Sequence, residues 1–466
     1  MGYDLVIKGG RVLASDGDQI ADVAVNGERI AAIGDDLHGA REIDATGRYV
    51  LPGGIDAHVH MRTDRPLHVY DDTWETGTTA AAFGGVTTVI DQVQVEPGLS
   101  LGEGLDRRLE EARGHSLVDF ALHMNPRAAN DAYLAEIPQI AARGIPSFKF
   151  FMVYDGFKVP DGFIFAAMQE VAALNGIALI HAENDAIIDE LLRQNARAGR
   201  TARQHSASAR PTAMEGEAVY RALAMAEVTG ASTLIFHLTA AEAVREVRNA
   251  RSRGQLAYGE ACLAYLLLDP SALDDPVSGT ALDFSPPLRP LEHREALWAG
   301  LADGTIDIVS TDHGPRRRVR GEDGTVHTPP GTSGVEVRLA LVHTHGVREG
   351  RLSLHQWVDR CCTRPAELFG LDRKGRLAPG FDADIVIFDP ERNLALGPDT
   401  LHSNIDHSTY EGYTARGFPV TTISRGRVLV HDGELLADAS DGHGRFIERG
   451  PGLPSPQPAA PVAARS

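Results

Sequence analysis

The sequence predicts an α/β chain, a (β/α)8 TIM-like barrel carrying a small β-sandwich domain formed from both termini. Three observations lead there. The middle of the chain alternates short apolar runs with helical patterns through eight β–α units. The first fifty residues and the stretch after Gly375 read instead as short strands broken by turns. No G-x-G-x-x-G or G-x-x-x-x-G-K-[ST] element follows a strand, so a nucleotide-binding open sheet has no phosphate cradle to rest on.

In chain order, Tyr3–Lys8 alternates and Gly9-Gly10 predicts a turn. Asp22–Val25 and Arg29–Ile33 form a hairpin about Asn26-Gly27. The barrel strands are expected at Ile55–Met61, Thr87–Gln92, Asp119–Met124, Ser147–Met152, Ala178–His181, Thr233–Leu238, Gln255–Tyr258 and Ile306–Thr311. Helical patterns between them include Thr73–Phe83, Ser100–Arg113, Phe163–Leu174, Gly216–Val228 and Ala240–Arg253. Ala383–Phe388, Thr421–Ser424 and Arg427–Val430 return to strand, with turns at Gly426 and Asp432-Gly433. Residues 1–52 and 376–445 therefore make the sandwich, 53–375 the barrel, and 446–466 a flexible or oligomer-contacting tail rich in Pro and Ala.

The 466 residues suffice for one large unit and one small one with a sizeable core. A net charge of −19 argues against nucleic acid or an anionic membrane as partner. No apolar run approaches the ~20 residues that span a bilayer, and Met1-Gly2-Tyr3-Asp4-Leu5 does not read as a signal peptide. Cys361 and Cys362 are adjacent and Cys262 is isolated, which is no disulfide framework and no zinc-finger spacing. A reducing cytoplasm is the expected location.

The reactive residues follow from the barrel. Functional side chains collect at the C-terminal ends of barrel strands, and those ends carry His58 and His60, Lys149, His181, His237 and Asp312. In His58-Val59-His60 the two imidazoles stand at i and i+2 of a strand and face one side, so both can reach one ion. Lys149 sits in the apolar run Ser147–Val153 of a chain with only four lysines. A lysine there can snorkel to water, yet a buried neutral amine can also form a Schiff base, accept a proton or add carbon dioxide. Four histidines and one aspartate are too few ligands for two zinc-like ions. A carbamate on Lys149 supplies two more oxygens and a bridging negative charge. His58, His60 and Asp312 then complete one site, and His181 with His237 the other. Paired divalent ions lower the pKa of a bridging water so that hydroxide forms near neutral pH.

These residues, with His-Ala-Glu-Asn at 181–184, Thr-Asp-His at 311–313, Gly84-Gly85-Val86-Thr87-Thr88, Ser285-Pro286-Pro287-Leu288-Arg289 and Gly334-Val335-Glu336, resemble the amidohydrolase superfamily. More narrowly, the chain resembles the hydantoinase/dihydropyrimidinase group along nearly its whole length. The resemblance implies hydrolysis of a cyclic diamide or imide by attack of the metal-bridging hydroxide. It implies Asp312 as ligand and proton shuttle, Tyr154 as donor to the developing oxyanion, and the loop at Ser285 as a grip on the ring. It further implies two divalent ions, of the zinc type, and a homotetramer or dimer.

Two departures bear on the substrate. The family's Pro-Asn-Gly segment is here Thr328-Pro329-Pro330-Gly331, and Pro330 has no N–H to donate. Any ring contact there comes from its carbonyl or a neighbour. The loop Met61–His68 is charged, and His58-x-His60-x-Arg62 is similar to dihydroorotases, where the arginine binds a substrate carboxylate. Arg62 thus raises an alternative, a dihydroorotase-like or allantoinase-like enzyme acting on an acidic ring, against a plain salt bridge to Asp64. Ile90-Asp91-Gln92-Val93 speaks against dihydroorotase, whose family has Met-Pro-Asn-Thr there. A catalytically silent scaffold is the remaining reading, and such relatives lose ligands that are all present here.

Overall fold

A computed structural model describes residues 2–14, 16–62, 69–200, 205–275, 279–321 and 326–450. Eight parallel strands run in sequence order around the centre: Gly54–Val59, Val86–Gln94, Asp119–Asn125, Ser147–Phe151, Ile177–His181, Ser232–Ile235, Ala257–Cys262 and Ile308–Ser310. The ring closes where Val59 bridges His313, with His60 N–H donating to the His313 carbonyl at 2.6 Å. Alternation splits the side chains between two cores. Phe148 and Phe150 face the helical layer, while Ile90, Ala121, Leu179, Phe236 and Tyr258 fill the barrel, floored by Leu368 and Phe369.

The helices begin where their caps are. Thr73 and Thr76 close a capping box on Trp74–Phe83, and Ser100 with Glu103 does the same for Leu101–Ala112. Asn130 and Asn184 cap Asp131–Ala142 and Asp185–Arg197. Helices of this kind follow the strands in turn, and the C-terminal strand ends gather on one face of the barrel.

The two chain ends meet in one nine-stranded sheet rather than two separate ones, joined where Ile385–Ala395 pairs antiparallel with Tyr49–Pro52. Its inner face, including Ile7, Val23, Val25, Ile385, Ile387 and Ile423, makes a core of its own. The expected turn at Gly9-Gly10 is instead a bulge within the strand Tyr3–Leu13. The register jumps from Ile7↔Val23 to Gly10↔Ala21, with Gly9 at φ +63°. A β-carbon on Gly10 would stand 2.4 Å from Val50 Cγ2, so close strand approach, not a reversal, explains the pair. The tail expected from residue 446 also differs. Phe446 bridges Phe120, Ile447 N–H donates to the Phe120 carbonyl at 2.7 Å, and buried Arg449 donates to Ser147 Oγ at 2.7 Å. Residues 451–466 lie outside the described residues.

Sheet and barrel are locked by a buried ion cluster. Lys374 Nζ lies 2.6 Å from Asp119 Oδ2, 2.7 Å from Asp384 Oδ2 and 3.0 Å from Asp382 Oδ2. Lys374→Met is expected to destabilise the protein by roughly 3–5 kcal/mol, because three buried carboxylates lose their shared cation. The Asp384 carboxyl, raised by burial even with the lysine in place, would then rise further above its unfolded value, so the folded variant binds an extra proton and its stability falls as pH rises. Thermal unfolding of both proteins at pH 5 and pH 8 checks this; a deficit that is negligible, or smaller at pH 8, rejects it.

Candidate metal centre and active-site cavity

The residues singled out in the sequence converge at the C-terminal mouth of the barrel. His58 Nε2 and His60 Nε2 lie 3.1 and 2.9 Å from the same Asp312 oxygen, and Lys149 Nζ is 2.9 Å from His58 Nε2. The His181 and His237 rings stand edge to face with centroids 4.3 Å apart, and the His237 ring is 5.8 Å from that of His58. Burial pushes the His58 and His237 imidazoles well below the usual range and lowers His181, which leaves each neutral, the form that binds metal. Burial likewise lowers the Lys149 ammonium, held between the Phe151 and Phe236 rings at 4.9 and 4.7 Å. For Asp312 burial acts upward, but its close contacts with His58, His60 and Lys149 outweigh it and hold the carboxyl well below the usual range.

The donor set fits divalent metal. His58 Nε2, His60 Nε2 and an Asp312 oxygen all lie within 4.8 Å of one another. His237 Nδ1 is buried with no hydrogen-bond partner among the described residues, which an imidazole in a packed interior avoids unless something else takes its lone pair.

The sequence pattern assigns no role to two carboxylates that stand behind the histidines. Glu260 Oε2 is 3.1 Å from His58 Nδ1 and accepts the His237 backbone N–H at 2.8 Å. With Nδ1 held by this carboxyl, Nε2 is turned toward Asp312. Glu183 Oε2 is 2.8 Å from His181 Nε2 and accepts the Tyr154 hydroxyl at 3.1 Å, while its other oxygen takes Arg210 Nη1 at 2.7 Å. Burial alone would raise Glu183, but His181 and Arg210 hold it down at about 2.

Backbone strain marks the same place. Among the described residues, Tyr154, His237 and Asp312 are non-glycine residues with φ of 76°, 38° and 53°. Such conformations cost of order 1–3 kcal/mol each and persist where their surroundings fix them. Thr332 Oγ1 does this for Asp312, donating to the Thr311 and Asp312 carbonyls at 3.0 Å each.

The cavity above these groups has a volume of about 420 Å³ and is lined by His60, Lys149, Tyr154, His181, His237, Ser285, Asp312 and Pro330 from the expected set. His58 is fully buried behind it. Gly331 N–H is committed to the Ala281 carbonyl at 3.2 Å, so the Pro330 turn offers the cavity acceptors rather than a donor. Arg62 does not take the place expected of it. Its side chain is exposed and not among those lining the cavity, and its carbonyl is held by Arg108 Nη1 at 3.1 Å. Asp64, the other partner considered for it, lies outside the described residues. Arg316 lines the cavity instead, 5.2 Å from the Tyr70 ring centroid. Burial pushes the Tyr70 hydroxyl up to about 12, so it faces the site protonated. Gln94, Phe157 and Asp283 are among the other wall residues that sequence reasoning missed.

Residues 49–429 match the amidohydrolase family. The chain is 39% identical over 458 residues to the D-hydantoinase of Streptomyces coelicolor, covering 95% of this chain and 97% of that one. It is 38% identical over 456 residues to the D-hydantoinase of Ralstonia pickettii, covering 96% and 99%. Among solved structures, the dihydropyrimidinase from Brevibacillus agri superposes with a TM-score of 0.91 at 36% identity, over 97% of this chain and 99% of that one.

Proposed function

The chain belongs to the amidohydrolase family, and from that premise we propose that it hydrolyses a ring amide bond of a cyclic diamide or imide of the hydantoin or dihydropyrimidine type. The observation that carries this reading is the meeting of His58, His60 and Asp312 ligand atoms within 4.8 Å, at the floor of a cavity that also exposes Lys149, His181 and His237. We assign these six side chains to two divalent ions, zinc by preference for imidazole and carboxylate. His58, His60 and Asp312 would hold one and His181 with His237 the other, with Lys149, carboxylated on Nζ, contributing to the same centre. Two such ions supply, when bound, polarisation of the ring carbonyl and a water acidic enough to ionise near neutral pH.

The remaining work falls to the chain's own groups. Asp312 takes a proton from the attacking water and returns it to the ring nitrogen that leaves. Tyr154, whose one hydroxyl proton goes to Glu183 in this structure while its oxygen accepts from Arg210, turns that proton from Glu183 to the carbonyl oxygen as that oxygen gains charge. Burial raises the phenol far above neutral pH, which keeps it a donor. The Ser285 and Pro330 turns hold the ring from either side of the cavity, and Glu260 and Glu183 fix the orientations of His58 and His181.

The protein acts as a homo-oligomer, tetramer or dimer, in this reading. The helix Asp185–Arg197 leaves Ile187 and Leu192 exposed at 41% and 42%, apolar surface that a second subunit would cover. Three buried free cysteines suit a reducing cytoplasm, and no helix among the described residues is long and apolar enough to cross a membrane.

Purified protein is expected to carry about two divalent ions per chain. It is expected to open hydantoins, dihydrouracil or cyclic imides faster than dihydroorotate or allantoin, because Arg62 is exposed and does not line the cavity. Metal-replete protein that opens none of these rings would reject the proposal. Preference for dihydroorotate would restore the acidic-ring alternative.

A further inference from the structure

Two buried carboxamides beside the metal centre have no explanation in the chemistry above. Gln92 and Asn125 are 2% and 0% exposed, and neither the nitrogen nor the oxygen of either side chain has a hydrogen-bond partner among the described residues. Buried amides are almost always paired, because desolvation without a partner is costly. Four such atoms on neighbouring strands of one barrel call for a ligand.

The sheet register says where they point. On the third and fourth strands Met124 pairs with Phe148, so one residue further Asn125 lies alongside Lys149. Side chains alternate across a strand, and the 2.6 Å contact between His123 Nδ1 and Ser147 Oγ shows which positions face inward. Asn125 and Lys149, two residues on from these, share that interior face on strands ~4.8 Å apart. On the second strand Gln92 pairs with His123, and on its other side it stands one residue beyond the Val59–Asp91 pair, next to His60. Gln94, in register with Asn125, lines the cavity itself. One orphan carboxamide therefore flanks His60 and the other flanks Lys149.

Resting on the carboxylated Lys149 of the proposed function, we infer that Asn125 and Gln92 are positioning residues for that modification, their carboxamides receiving the carboxylate on Nζ. The Nζ lone pair forms a C–N bond to dissolved carbon dioxide, one C=O π pair moves onto oxygen, and an N–H proton passes to water. The product carries two acceptor oxygens and keeps one N–H. A carboxamide presents N–H donors and a C=O acceptor, the complementary set. The unmodified amine offers an amide N–H only its single lone pair, and that nitrogen already stands 2.9 Å from His58 Nε2.

The test is the 13C NMR signal of the carbamate in holoprotein equilibrated with graded 13C-bicarbonate. Gln92→Met, Asn125→Leu and the smaller Asn125→Ser are compared with wild type, each checked for an unchanged circular dichroism spectrum. The Gln92 and Asn125 variants are expected to need about tenfold more bicarbonate for half-occupancy, the loss of one hydrogen bond to a charged group. Thr88→Val is the control. Thr88 Oγ1 is also buried without a partner among the described residues, but it pairs with Asp119 at the far end of the barrel, and its bicarbonate dependence should match wild type. A wild-type signal with the same dependence in the Gln92 and Asn125 variants overturns the inference and leaves these amides as hosts of buried water. No carbamate signal in wild type rejects the underlying carboxylation instead.

Discussion

Lys149→Ala is expected to lower kcat/KM by at least about 10³-fold and to cost the protein part of its metal, with partial recovery in acetate or formate. Nζ is buried between two phenylalanine rings and reaches His58 Nε2 at 2.9 Å, so alanine removes the group that the proposed function assigns, carboxylated, to the two-ion centre. The loss reflects several kcal/mol of charge stabilisation supplied by a correctly spaced ion pair, and each 1.36 kcal/mol is tenfold in rate. Short carboxylates rescue because the space left by the side chain admits a small anion with the same two oxygens. Lys149→Arg separates bulk from chemistry: guanidinium fills the space, does not add carbon dioxide at neutral pH, and is expected to be as inactive as alanine without rescue. Elemental analysis beside the rate measurement decides the matter. A fully metallated and active Lys149→Ala protein in the absence of added acid would sink the lysine-carboxylate assignment.

The fold and the convergence of the six singled-out side chains are legible because both are written in local pattern. An imidazole pair at i and i+2 in an apolar strand identifies itself, as does a lysine among phenylalanines. Eight strand–helix units order the strand ends, and the ordering is enough to gather His58, His60, Lys149, His181, His237 and Asp312. What escapes depends on contacts across the closed barrel. Glu260 lies 202 residues from the histidine it orients, and only its place in the apolar stretch Tyr258–Cys262 hints at burial. Sequence pattern ends the seventh strand at Tyr258, which hides that hint, whereas the strand runs over Ala257–Cys262. The positive φ angles of His237 and Asp312 leave no trace either, since no glycine announces them; tertiary packing imposes them.

The Arg62 expectation fails for a related reason. H-x-H-x-R alternation places the arginine on the same face as the histidines only while the strand continues, and the first strand ends at Val59. Past that point Arg108 takes the Met61 and Arg62 carbonyls at 3.0 and 3.1 Å, which turns the backbone and leaves the Arg62 side chain exposed. The cation that does line the cavity, Arg316, comes from the loop after the eighth strand, where three consecutive arginines, Arg316 to Arg318, give no local sign of which one turns inward.

Asp312→Asn is expected to reduce kcat by about 10²–10⁴-fold, the range for loss of a positioned general acid–base group, with a much smaller change in KM. Asparagine keeps an oxygen near His58 and His60, which stand 3.1 and 2.9 Å from the native carboxylate, but it can neither hold the charge nor accept a proton. The decisive measurement is how the loss varies with the leaving nitrogen. A ring nitrogen that departs as a stabilised anion needs little proton delivery, whereas a more basic amide nitrogen departs only if protonated. Across a series of cyclic imides and diamides, the ratio of the wild-type rate to that of the Asp312→Asn variant should therefore grow with the pKa of the leaving nitrogen. Metal content measured on the same samples guards against a trivial loss of ions. A ratio that is flat across the series, with metal retained, would show that Asp312 serves the centre as a ligand alone. The proton would then have to travel through another group at the cavity floor, and Tyr154, held as a donor by Glu183 and raised by burial, is poorly suited to accept it.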